Sequence, residues 1–362
     1  AVNDHHSFFP STPQSRSAAG MRTCQCWILL FAVAGLVSAS SGDRAPEFTN
    51  CVSRCNASRC ASGHSHPLSL PLRLTRWTCD DNCKYSCMQD IATRDIRLGD
   101  RVHQYYGKWP FWRLFGVQEP ASVLFSLLNL WAHARGLAKL RRQIPETHPM
   151  KPYYLAWAVT GINAWVWSAV FHTRDNSTTE RLDYFSAALT ITYALYYTVV
   201  RLFHLYPTQR RGKLTLSTPD TATPRSPAYK FWSALCLLAY VGHVSYLTLL
   251  PRFDYTYNIV FNTVIGLAHN ILWLLYAFPS SLSTVRRFSS RPKTYRPDFA
   301  TRVGVLVLCT TAATTLELFD FAPFLRIIDA HSLWHLATAP IAVFWYEFLL
   351  QDSRDESWRD RV

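Results

Sequence analysis

Three short stretches carry polar residues whose types and spacing suit chemistry. Trp167-Ser168-Ala169-Val170-Phe171-His172-Thr173-Arg174-Asp175 sets Ser168 and His172 four apart, on one face of any helix that carries them. Asp329-Ala330-His331-Ser332-Leu333-Trp334-His335 places two imidazoles one helical turn apart, a spacing that lets both bind one metal ion. Leu182-Asp183-Tyr184 adds a carboxylate a short turn beyond His172. Together His172, His331 and His335 would fill three tetrahedral positions of Zn2+ and leave the fourth to water, which is a catalytic rather than a structural arrangement. Asp183 would take the water's proton or orient a liganding ring, and Ser168 would hydrogen-bond the water or a developing oxyanion. Singly, each histidine also reads as a helix-end residue facing water or lipid headgroups; convergence at one depth is what would make them a set. His133, His243 and His269 lie in apolar runs without a partner at helical spacing and read as packing or hydrogen-bonding residues.

These residues need helices to bring them together. Apolar residues gather in blocks of about twenty separated by polar, basic connectors, the pattern of membrane spans. Spans are expected near 120–138, 153–171, 183–200, 231–250, 256–278, 300–319 and 332–350. The first contains His133 and Arg135, so hydropathy leaves it in doubt, and charge decides. Connectors 139–152, 201–230 and 279–299 hold 4, 6 and 5 Lys or Arg, whereas 172–182, 250–255 and 320–331 hold 2, 1 and 1. With a lumenal N-terminus, only a genuine first span puts the basic set in the cytoplasm. The formal charge of +13 therefore reads as flanking charge and not as a nucleic-acid surface. The topology puts His172, Asp183, His331 and His335 at the lumenal side. The Thr/Pro/Ser-rich connector from Tyr206 to Lys230 reads as a flexible cytoplasmic loop.

Upstream, residues 1–20 read as non-native or preceding sequence. Met21-Arg22 and the apolar run ending Val37-Ser38-Ala39 read as a signal peptide over 21–39, a retained span being the alternative. Of ten cysteines, Cys24 and Cys26 would leave with that signal, and Cys236 and Cys309 sit in spans. Cys51, Cys55, Cys60, Cys79, Cys83 and Cys87 remain, an even number in a short lumenal segment, and predict three disulfides whose pairing is one of fifteen. A zinc cluster is the rival, but these spacings are wider than CxxC pairs. Asn56 and Asn176 open glycosylation sequons. The fold expected is an all-α membrane protein with seven transmembrane helices. A disulfide-rich lumenal head spans 40–117, the helical domain 118–350 and a cytoplasmic tail 351–362.

Several segments resemble one family. They are Gly42-Asp43-Arg44, the head with Trp77-Thr78-Cys79-Asp80-Asp81-Asn82-Cys83-Lys84-Tyr85-Ser86-Cys87-Met88, Gly107-Lys108-Trp109-Pro110-Phe111 and Gln118-Glu119-Pro120-Ala121-Ser122. Asn163-Ala164-Trp165, Phe171-His172-Thr173-Arg174-Asp175, Arg252-Phe253-Asp254-Tyr255 and Asp329-Ala330-His331 with Trp334-His335 complete the set. From about 42 to 350 the chain resembles the post-GPI-attachment-to-proteins factor three family, within the superfamily of alkaline ceramidases and progestin/adiponectin receptors. That resemblance implies a phospholipase A2-type hydrolase removing the unsaturated sn-2 acyl chain from the phosphatidylinositol of GPI-anchored proteins. It carries the zinc ligands onto His172, His331 and His335, and the superfamily's Ser and Asp onto Ser168 and Asp183. Arg174 or Arg181 would hold the inositol phosphate, and the head would position the glycan or protein part of the substrate. The endoplasmic reticulum membrane is the expected location, with the Golgi as alternative. A ceramidase would share the five core residues but generally lacks the cysteine head. A receptor of the progestin or adiponectin type matches only at the core motifs, and a metal transporter would distribute ionisable groups along a path instead of at one side.

Overall fold

The computed structural model describes residues 40–61, 67–207, 225–279 and 281–361. The expected signal segment, residues 1–20 and most of the Thr/Pro-rich connector lie outside the described residues. Three helices form the head: α1 (Pro46–Arg59), α2 (Leu70–Leu74) and α3 (Cys79–Leu98). Seven long helices follow among the described residues: α4 (Pro120–Gln143), α5 (Lys151–Thr173), α6 (Ser177–Leu202), α7 (Pro227–Leu249), α8 (Tyr255–Ala277), α9 (Ala300–Leu318) and α10 (Ala330–Arg354). A 3-10 turn, Glu356–Arg361, closes the chain.

Local chemistry sets the ends that matter. Asp329 caps α10, its Oδ1 accepting from Ser332 N–H at 2.8 Å while Asp329 N–H donates to Ser332 Oγ at 3.0 Å, so His331 falls in the first turn and His335 in the second. Asn176 caps α6 in the same reciprocal way with Thr179. Arg174 leaves the helical region with φ −151° and ends α5 just after His172. Ends 173 and 177 are thus joined by a three-residue turn, which forces α5 and α6 antiparallel with His172 and Asp183 at the same end.

Helices α4, α5, α6, α8, α9 and α10 pack in that order into a closed ring, and α7 lies outside it against α6. Helix α4 shows an inverted pattern: Ser122, Ser126, Asn129 and His133, spaced four, three and four apart, are buried, while Leu124, Leu127, Leu128 and Trp131 are exposed. A soluble amphipathic helix does the opposite. Gly161 lets α5 meet this face, since a Cβ there would lie 2.2 Å from His133 Nδ1. His133 is thereby held 2.8 Å from Tyr346 Oη, and His243 stacks on Phe261 with centroids 4.0 Å apart. By length and composition α7, α8 and α10 are apolar enough to cross a membrane. The described part of the chain is thus all-helical with membrane-protein character.

The end away from His331 is closed by an ion pair. Arg201 donates from Nε and Nη2 to both oxygens of Asp352, each at 2.7 Å, and from Nη1 to Arg287 O at 2.8 Å. Tyr276 Oη donates to Asp352 Oδ1 at 2.9 Å, and both members of the pair are fully buried. Trp358 Nε1 donates to Asp352 O at 2.6 Å, so the residues after α10 fold back onto the bundle, and α10 itself runs four residues past the expected limit of 350. Asp352→Ala would strand a buried guanidinium and is expected to cost about 3–5 kcal/mol of stability in a denaturation titration in micelles. Replacing both partners by apolar residues should recover most of that loss.

The head is an antiparallel pair of helices with three rungs. Cys51–Cys87, Cys55–Cys83 and Cys60–Cys79 are nested disulfides joining α1, or Cys60 just after it, to α3. Phe48, Cys87, Ile91 and Tyr105 form its small core. Such a core is too little to stabilise a segment of this size without crosslinks. The head docks on the bundle end that carries the histidines. Arg174 Nη2 donates to Asp81 Oδ2 at 2.7 Å, Arg326 Nη1 to Gln89 Oε1 at 2.7 Å, and Trp109 Nε1 to Asp320 Oδ1 at 2.6 Å. Trp77 Nε1 donates to Gly116 O at 2.8 Å; Gly116 has φ +87° and a Cβ on it would sit 2.4 Å from Thr75 Oγ1.

Candidate metal centre

His172, in the last turn of α5, and His331 and His335, in the first two turns of α10, point their Nε2 atoms at one another. His331 Nε2 lies 3.3 Å from His172 Nε2 and 3.0 Å from His335 Nε2, and the three ligand atoms fall within 4.8 Å of one another. His172 and His335 are buried and His331 is one-third exposed.

Each Nδ1 is held from behind. His172 Nδ1 lies 2.7 Å from Glu119 Oε2, His331 Nδ1 2.7 Å from Glu317 Oε2, and His335 Nδ1 3.0 Å from Ser126 Oγ. A carboxylate accepts only, so the Nδ1 of His172 and of His331 must carry the proton that it donates. Two neutral rings so arranged aim Nε2 lone pairs at each other at 3.3 Å, a repulsion relieved either by a proton shared between them or by a metal ion between them. Tetrahedral Zn–N bonds of about 2.0–2.1 Å put ligand nitrogens about 3.3 Å apart. The donor set, its spacing and its carboxylate backing therefore fit a zinc ion with one open position.

Glu119 stands just before α4, and its N–H donates to His172 O at 3.0 Å, which ties that start to the end of α5. Its Oε1 accepts from Lys108, whose Nζ also lies 3.2 Å from Asp175 Oδ2 and 4.1 Å above the Phe171 ring. Burial would push the Glu119 carboxyl up, but Lys108 and His172 outweigh it and hold the group well below the usual carboxylate range.

Ser168 joins the centre through Ser126, their hydroxyls 3.0 Å apart, while Ser126 donates to Ser122 O at 2.7 Å. Asp183, partly buried on the second turn of α6, lies within electrostatic reach of His331, Lys108, Glu317 and Glu119 and makes none of the hydrogen bonds that orient the rings. Arg174 is engaged by Asp81 and stacks 4.4 Å from the Trp77 ring centroid, whereas Arg181 lies partly buried on the second turn of α6. Asn56 donates to Asp80 Oδ1 at 2.5 Å, and Asn176 is exposed with its Oδ1 capping α6.

Sequence reasoning assigned no role to Glu119, Lys108, Glu317 or Ser126. Glu119 and Lys108 sat inside motifs already singled out, and Glu317 is an acid inside an apolar block, which is itself a signal of function. Ser126 carries no such mark.

The sequence profile of the Per1-like family matches residues 69–353. "Protein PER1 homolog" of Schizosaccharomyces pombe is 39% identical over 321 residues, 87% of this chain and 88% of that one. "GPI-specific phospholipase A2-like PGAP3" of Homo sapiens is 38% identical over 330 residues, 90% of this chain and 93% of that one. "Post-GPI attachment to proteins factor 3" of Drosophila melanogaster is 36% identical over 329 residues, 88% of this chain and 91% of that one. The profile match takes in the head from residue 69 onward, every element of the histidine centre and the Arg201–Asp352 closure, and on that extent the chain belongs to the Per1-like family.

Proposed function

We propose that this chain is a zinc-dependent membrane hydrolase that removes the sn-2 acyl chain from the phosphatidylinositol of GPI-anchored proteins. The observation that carries the reading is the convergence of three Nε2 atoms, each ring fixed at Nδ1, at one end of a helical bundle. The relatives' names supply the substrate class. We also propose that all seven long helices span the bilayer. Helices of 19–26 residues rise about 28–39 Å, enough for a hydrocarbon core of about 30 Å, and the inverted face of α4 suits lipid outside and polar partners inside. The excess of basic residues at the opposite end supports a lumenal head and histidine centre, in the endoplasmic reticulum membrane. The same five residues, His172, His331, His335, Ser168 and Asp183, support kinship with the alkaline ceramidases and progestin/adiponectin receptors.

Zinc held there would polarise the ester carbonyl and make a water acidic enough to react near neutral pH. Asp183 accepts the proton that the water loses as it adds to the carbonyl carbon, and returns it to the sn-2 glycerol oxygen when the acyl C–O bond breaks. The products are a fatty acid and the 2-lyso lipid. Ser168, whose proton otherwise goes to Ser126 Oγ, turns it to the developing negative oxygen, and Glu119, Glu317 and Ser126 keep the three rings from turning. Arg174 is already paired with Asp81, so Arg181 is the cation that meets the inositol phosphate.

The test is mass spectrometry of the lipid on a GPI-anchored reporter in cells lacking their own Per1-like protein, with and without this chain. Its expression should replace the unsaturated sn-2 chain; an unchanged unsaturated diacyl lipid with the protein present at the membrane would overturn the reading.

A further inference from the structure

The head delivers one charged side chain to the centre. Tyr105, 3% exposed, packs in the head core with its ring 4.9 Å from Phe48, beside the Cys51–Cys87 disulfide. From Tyr105 the chain turns tightly: Tyr105 N–H donates to Lys108 O at 2.7 Å and Lys108 N–H to Tyr105 O at 3.0 Å, with Tyr106 and Gly107 at φ 52° and 78°. Both central residues have positive φ, the geometry of a type I′ turn, so the direction of Lys108 is set by the anchoring of Tyr105. Its ammonium then meets Glu119, Asp175 and the face of Phe171 together. Glu119 is 4% exposed and has His172 Nδ1 on its other oxygen.

We propose that Lys108 is a positioning residue for the metal centre: mounted on the head, it holds Glu119 as an oriented carboxylate and through it keeps His172 Nε2 aimed at the ion. This deepens the zinc reading and rests on it. A buried carboxylate that has lost its cation turns toward other donors. His172 Nδ1 then loses its acceptor, the ring is free to rotate or change tautomer, and its Nε2 becomes a poorer ligand. The disulfide head would on this account complete the site in addition to any contact with substrate.

The experiment is competition for Zn2+ between a chromophoric chelator and the purified full-length protein in lipid nanodiscs, for wild type, Lys108→Met, Lys108→Arg, Glu119→Gln and the double variant K108M/E119Q. Helix content and thermal unfolding are followed on each. Lys108→Met should weaken zinc binding about 10–100-fold, the scale of other outer-shell losses, and Lys108→Arg should recover part of it because it restores a cation between the two carboxylates. In the Glu119→Gln background, Lys108→Met should add no further loss, since the path runs through that carboxylate. The double variant has no stranded buried carboxylate at 119, so it reports even if Lys108→Met alone fails to fold. Wild-type affinity in a folded Lys108→Met, or independent losses in the double variant, would overturn the proposal. Equal weakening in Lys108→Arg and Lys108→Met would assign the effect to packing and also overturn it. A wild-type protein that takes up no stoichiometric zinc would instead remove the metal reading itself.

Discussion

His331→Ala is expected to leave the GPI reporter with its unsaturated diacyl lipid and to strip zinc from the purified protein. Its Nε2 lies within 3.3 Å of both other ligand nitrogens, so its loss leaves two donors where three are needed. Lewis-acid stabilisation of several kcal/mol, at about 1.4 kcal/mol per factor of ten, sets the fall in turnover at about 10³-fold or more. Of the three histidines this is the most informative to change. Its side chain is 33% exposed, so truncation opens little cavity, whereas His335 is fully buried and its removal would mix lost ligation with lost packing. Retained turnover with full zinc occupancy in His331→Ala would refute the assignment of this ring. An intact Arg201–Asp352 closure, about 30 Å away along α10, should keep its unfolding midpoint near that of zinc-free wild type.

Asp183→Asn should show a different signature, zinc content near wild type and turnover lower by about 10²–10⁴-fold, the span usual for loss of a general acid–base group. The asparagine keeps the shape and removes the proton acceptor. None of the bonds that orient the three rings runs to Asp183, so the metal should stay. Zinc content and turnover measured on the same preparations decide it. Loss of the metal along with activity would make Asp183 a structural partner of the ligands, and unchanged turnover would remove it from the proton path.

Much of the helical layout was legible because apolar blocks and their basic flanks are local signals. The expected segments 120–138 and 332–350 became helices Pro120–Gln143 and Ala330–Arg354. Hydropathy ends where charges cluster, but the backbone ladder continues through Arg141, Arg142 and Arg354, which are well placed in last helical turns. Three disulfides were expected from six cysteines, yet their pairing was not. Spacing marks 51 and 55, and 83 and 87, as one-turn neighbours, but only the antiparallel docking of α1 on α3 nests them as 51–87, 55–83 and 60–79. The histidines were legible for the same local reason, since residues four apart on a helix share a face.

By itself the sequence determined which side chains stand at which helix ends: His172 before a break, His331 and His335 after the Asp329 cap, Asp183 after the Asn176 cap. Only the tertiary structure decided what stands behind each ring. Glu119, Glu317 and Ser126 come from helices 14 to 209 residues away in sequence from the imidazoles that they orient, and Lys108 comes from the head. Spacing along one helix fixes an angle about that helix, whereas a hydrogen bond of about 2.7 Å between two helices depends on the closure of the whole ring. The placement of the three histidines was therefore written locally, and the partner that stands at each Nδ1 was set by packing.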